Sequence, residues 1–94
     1  MNHILITEEI LKKNFGTCYG LGWYGVYFVR EDAFDENNFV TKFIGIRDSM
    51  PYYPTKERFA IIKDDKENVI CEVKYVDELQ SALKLLGIEK EIVS

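Results

Sequence analysis

The sequence predicts an α+β domain: a four-stranded antiparallel sheet flanked by an N-terminal and a C-terminal helix packed on one face. Three observations carry this. Apolar residues recur at helical spacing near both ends, four β-rich stretches lie between them, and polar, turn-forming runs separate those stretches. With 94 residues the chain has room for one core, so residues 1–94 are read as a single domain.

The first element is a helix opening at Thr7. Its hydroxyl can cap the helix, Glu8 and Glu9 suit the positive N-terminal end, and Ile6 before the cap can staple to Leu11. Ile10, Leu11 and Phe15 give it an apolar side, and Gly16 gives it a stop.

Residues 23–30, 39–46, 59–63 and 69–74 are rich in aromatic and β-branched side chains and read as the four strands. Residues 31–38 and 64–68 read as hairpin connections. Val69, Cys71 and Val73 alternate with Ile70, Glu72 and Lys74, which suits a strand with one wetted face. Strand 23–30 differs. Tyr27 and Val29 share one side while Tyr24, Val26 and Phe28 share the other, so both of its faces are apolar. Helices on one side leave the second face needing a cover, either the loop 48–57 with Met50, Pro51, Tyr52, Tyr53 and Pro54, or another subunit.

The last element has the fullest pattern. Val76, Leu79, Ala82, Leu83 and Leu86 share one helical face, and Glu78, Ser81 and Lys84 point away. Asp77 and Gln80 have capping-box spacing, Gly87 supplies a left-handed stop, and Ile88 can fold back onto Leu83.

Composition narrows the function classes. The chain is 47% hydrophobic and 30% charged, and no apolar run approaches the roughly 20 residues of a membrane span. The first six residues lack the cationic start and longer apolar stretch of a secretory signal, so a cytoplasmic address is expected. Cys18 and Cys71 lie too far apart for a zinc or redox motif and read as reduced packing residues. A net charge of −4 with scattered basic residues argues against a nucleic-acid backbone as partner. Stacking of bases on Trp23, Tyr24, Tyr27 and Phe28, with charge from Arg30, Lys42 and Arg47, is the alternative, but the strand does not match an RNA-recognition signature.

Gly20, Gly22 and Gly25 form a literal G-x-G-x-x-G. The dinucleotide motif needs a strand before it and a helix after it, and here the order is reversed. A kinase-type hairpin fits the context better, yet the chain has no catalytic-loop or metal-binding motif and no room for a second lobe. The glycines are therefore read as a turn with close packing. His3 is the only histidine and lies near the start of the chain; Asp32, Asp35 and Glu36 lack a calcium-loop pattern; Asp64 and Asp65 read as solvated turn carboxylates. No catalytic residue, cofactor or metal is assigned, and an enzyme would have no identifiable catalytic set.

The start from Ile6 to Gly16, the Trp23-Tyr24 strand and the ending from Tyr75 to Ile88 resemble short uncharacterised proteins of gut bacteria and their phages or mobile elements. In those proteins a helix and aromatic strands precede a Val-x-x-Leu-Gln helix. Two departures stand out: Asn14-Phe15-Gly16 replaces an Asn-Gly-Phe order, and Asp77 stands where a histidine is common, so no role of that histidine carries over. The resemblance implies an architecture and an origin, not a reaction.

The expected function is therefore binding to another protein, or to a second copy of the chain, through Trp23, Tyr24, Tyr27, Met50, Tyr52 and Tyr53. Tyrosine and tryptophan suit such a surface because stiff rings bury area with little entropy loss.

Overall fold

A computed structural model describes residues 3–21, 24–48 and 58–94, with the backbone alone at positions 21, 24 and 66. The elements run α1 (Glu8–Phe15), β1 (Cys18–Leu21), β2 (Tyr24–Phe34), β3 (Val40–Asp48), β4 (Phe59–Lys63), β5 (Asp65–Val73) and α2 (Val76–Leu85). The sheet is an antiparallel meander in the order β1-β2-β3-β4-β5.

The sheet has five strands, not four. The additional strand β1 is only four residues long and contains Gly20, a residue depleted in strands. It forms because β2 offers it a partner: Cys18 pairs with Tyr27, Tyr19 with Val26, Gly20 with Gly25 and Leu21 with Tyr24. Two of the G-x-G-x-x-G glycines, Gly20 and Gly25, therefore face each other across the antiparallel β1–β2 pair. A Cβ on Gly25 would stand 2.6 Å from Cys18 Sγ, so close packing requires the glycine there.

Both expected hairpin connections are tighter than their composition suggests. β2 continues through Glu31 and Asp32 to Phe34, and β5 starts at Asp65. Two aspartates make this possible by replacing missing ladder bonds. Asp35 donates its N–H to Phe39 O (2.8 Å), and its Oδ1 accepts from the N–H of Phe39 (2.9 Å) and Asn37 (2.8 Å). Asp64 does the same for Phe43, donating to its carbonyl (2.9 Å) and accepting from its N–H through Oδ1 (2.9 Å). Asp64 and Asn38 both have positive φ, 63° and 65°, which Asn and Asp tolerate better than most residues. Asp64, exposed in the β4–β5 turn as its sequence suggests, is also a structural clasp.

The helices cover one face. Leu11 of α1 and Leu79 and Leu83 of α2 are fully buried against Ile46, Phe59 and Ile61. Both helix ends behave as their sequences direct. Thr7 Oγ1 accepts from Ile10 N–H (3.2 Å), and Gly16, at φ 85°, donates to Lys12 O (2.9 Å). At the end of α2, Gly87 N–H reaches Lys84 O (3.1 Å) and Ile88 N–H reaches Leu83 O (2.9 Å), a Schellman closure.

The start of α2 departs from expectation. Tyr75, not Asp77, is the cap, and Glu78 supplies the capping carboxylate, accepting from Lys74 and Tyr75 N–H at 2.9 Å each. The boundary shifts because residues 4–6 bridge to residues 74–76: Ile6 N–H donates to Lys74 O and Val76 N–H to Ile4 O. That pairing ends the extended chain at Tyr75. Gln80, released from capping, holds the C-terminal tail instead. Its Nε2 donates to Lys90 O (2.6 Å) and its Oε1 accepts from Ile92 N–H (2.7 Å). Asn14 of α1 makes the matching pair with Val93, donating to its carbonyl (2.7 Å) and accepting from its N–H (2.8 Å). Ile92 is buried in the main cluster between these clamps.

The opposite face carries a smaller core of Val26, Phe43, Ala60 and Ile62, with Phe28 and Val40 half-buried beside it. β2 therefore has two apolar faces, as its sequence requires. A bulge between Phe28 and Arg30 leaves Val29 as the extra residue on the helix side. A register shift between Ile61 and Ile62 in β4–β5 sets Val69 opposite Ile62, which moves Val69 off the side it would share with Cys71 and Val73 by simple alternation. Position 48 is the only part of the expected covering loop within the described residues.

Candidate functional site: an aromatic hollow opposite the helices

Beyond the small second core the same face opens into a hollow of about 410 Å³, lined by residues of β1, β2 and β3 and the β2–β3 turn. Rings step across three strands: Tyr19 packs on Phe28 at 5.4 Å between centroids, and Phe28 meets Phe43 edge-on at 5.1 Å. Phe34 and Phe39 flank the turn that Asp35 closes. Tyr19, Phe34 and Phe39 are 52%, 54% and 69% exposed, so three large rings face outward around one depression.

Each ring is positioned by the backbone beneath it. Phe43 is 4% exposed and clasped by Asp64, which fixes the floor of the hollow. Phe39 is held on both its N–H and its carbonyl by Asp35. Glu31, opposite Phe43 in the β2–β3 register, is the one charged side chain lining the hollow among the described residues. It has no ion-pair or hydrogen-bond partner among them, whereas Arg30 next to it is taken by Asp32 at 3.0 Å.

Of the residues expected to form the interface, Tyr27 alone is described with its side chain. Trp23, Met50, Tyr52 and Tyr53 lie outside the described residues, and Tyr24 is described by its backbone alone. Tyr27 is corrected: it is 5% exposed beneath the helices, on the side opposite the hollow. The exposed rings on the described surface opposite the helices are instead Tyr19, Phe34 and Phe39. The available signal was the Phe at each end of Asp35-Glu36-Asn37-Asn38, an apolar pair symmetric about a polar turn.

Several titratable groups lie on the helix side among the described residues. Burial pushes the Cys18 thiol up, outweighing its hydrogen bond with Tyr27, and burial likewise raises Cys71, with Glu78 adding to the effect. Both cysteines are free and half-buried. Burial, with Cys18 beside it, lifts the Tyr27 hydroxyl to about 12. His3 Nδ1 lies 3.3 Å from Asp77 Oδ2 and its ring stands 5.0 Å from that of Tyr75, an exposed arrangement with no nucleophile in it. Among the described residues no helix is long and apolar enough to cross a membrane.

Comparisons with protein-family models, with curated proteins and with solved structures find no match to this chain.

Proposed function

We propose that this chain is a cytoplasmic protein-interaction module that docks a partner protein through the aromatic hollow. The observation that carries the reading is the exposure of Tyr19, Phe34 and Phe39 around a single depression whose floor is rigidly clasped. Exposed rings held in place by the fold lose little entropy on docking, so they serve as anchors. An origin in gut bacteria, their phages or mobile elements belongs to the same proposal and rests on the sequence resemblance alone.

Base stacking is the second reading, favoured by the same rings. Glu31 on the wall and Asp32, Asp35 and Glu36 nearby set a repulsive field against phosphate, which ranks it below protein docking. The test is quantitative affinity capture from the native host with the wild-type chain and with Phe34→Ser/Phe39→Ser. A protein enriched by the wild type and lost with the double variant supports the module. Equal recovery by both, or a nuclease-sensitive catch, contradicts it. Concentration-dependent sedimentation that the double variant abolishes would identify the partner as a second copy.

A further inference from the structure

We infer that the hollow receives a cationic side chain of the partner, arginine above all. This rests on the docking reading and adds to it the chemistry of the group that enters. An aromatic face is negative at its centre and attracts a cation within about 6 Å. Tyr19, Phe28, Phe34 and Phe39 place such rings around one opening, and Glu31 adds a formal negative charge at its wall.

A purely apolar docking pocket has no use for a carboxylate on its wall. A ligand without charge leaves this exposed carboxylate without an opposite charge beside it, whereas a cation gains its attraction. A guanidinium answers both features. It stacks flat on Phe or Tyr and presents a fork that matches a carboxylate, while its methylene stem lies along apolar surface such as Val40 and Phe43. Lysine can make the charge contact but neither the stack nor the fork.

Among the described residues, the chain's own cations leave this site open. Arg30 is committed to Asp32, and two lysines sit over rings elsewhere: Lys74 over Tyr75 and Lys90 over Phe15, each 5.6 Å from the centroid. No Lys or Arg lines the hollow among the described residues. At about 410 Å³ the space is at the small end for a ligand pocket, which suits one long side chain rather than a helix. The net charge of −4 steers a basic segment toward the molecule as a whole.

The experiment titrates the intact, isotope-labelled chain with acetyl-arginine amide and with acetyl-norleucine amide, following amide resonances of Glu31, Phe34 and Phe39. Glu31→Gln is isosteric at an exposed site and keeps the fold; Glu36→Gln is the control for charge away from the wall. The expected result is saturable shifts with the arginine probe, a weaker response to norleucine, and a loss of about two- to fivefold in arginine affinity in Glu31→Gln alone. Norleucine binding as tightly as arginine, or an unchanged Glu31→Gln, overturns the cation and leaves an apolar docking site in place. No shift at these residues with either probe also overturns it, and partner capture with Phe34→Ser/Phe39→Ser then decides the docking reading separately.

Discussion

The sulfur of Cys18 occupies the space that a side chain at Gly25 would need, 2.6 Å from the position of its Cβ. The two residues belong to neighbouring strands of the same hairpin, so the clash tests the β1–β2 pairing directly. Gly25→Ala is expected to destabilise the domain by about 1–3 kcal/mol through overpacking, and Cys18→Ala in the same chain to return much of that loss. Urea unfolding of the two single variants and the double variant measures the coupling. Independent, additive effects would mean that the sulfur does not lie over Gly25.

At the scale of elements, α2 is held at its start by one carboxylate and at its flank by one amide. Glu78 accepts from Lys74 and Tyr75 N–H, and those two bonds hold its carboxyl below the usual carboxylate range. A depressed folded pKa gives stability that is present above the unfolded value and lost as the pH falls through the folded one. Glu78→Ala is therefore expected to cost about 1 kcal/mol at neutral pH, discounted for solvent exposure, and progressively less below about pH 4. Denaturant midpoints at pH 7 and pH 3 check the sign.

The tail clamps predict a local effect. Gln80→Ala, which frees part-buried backbone groups of residues 90 and 92, is expected to cost about 1–2 kcal/mol, and Asn14→Ala, whose bonds to Val93 are exposed to water, about 1 kcal/mol or less. Amide exchange at Ile92 and Val93 should accelerate before that of the sheet. Uniform acceleration would place the tail in the global unfolding unit.

What the sequence made legible follows from the range of each interaction. The caps at Thr7 and Gly16, the apolar faces of both helices, the Gly87–Ile88 closure and the two-sided strand at Val26–Phe28 depend on neighbours a few residues away. β1 was hidden because Gly20 lowers its propensity and only its partner β2 makes it a strand. The roles of Glu78 and Gln80 were exchanged because the bridge of residues 4–6 to residues 74–76, which fixes the start of α2, spans most of the chain. The hollow was missed for a similar reason: Phe34 sits in a run that reads as a polar turn, and Tyr19 reaches Phe28 only across the unforeseen strand.

For the whole molecule, the arrangement divides labour between two faces. The helix side spends its apolar surface on the main core and on the tail, and Tyr27 is consumed there. The other side buries Val26, Phe43, Ala60 and Ile62 and still leaves rings outward at the β2–β3 end. Those rings are proposed to dock a partner protein. The most direct measurement of that docking is site-specific photo-crosslinking in the native host, with the probe at Phe39 in one chain and at the exposed Glu9 of α1 in another. The account predicts a discrete crosslinked protein from position 39 that is absent from position 9 and suppressed by Phe34→Ser. The same crosslinks from both positions, or none from position 39, would contradict it.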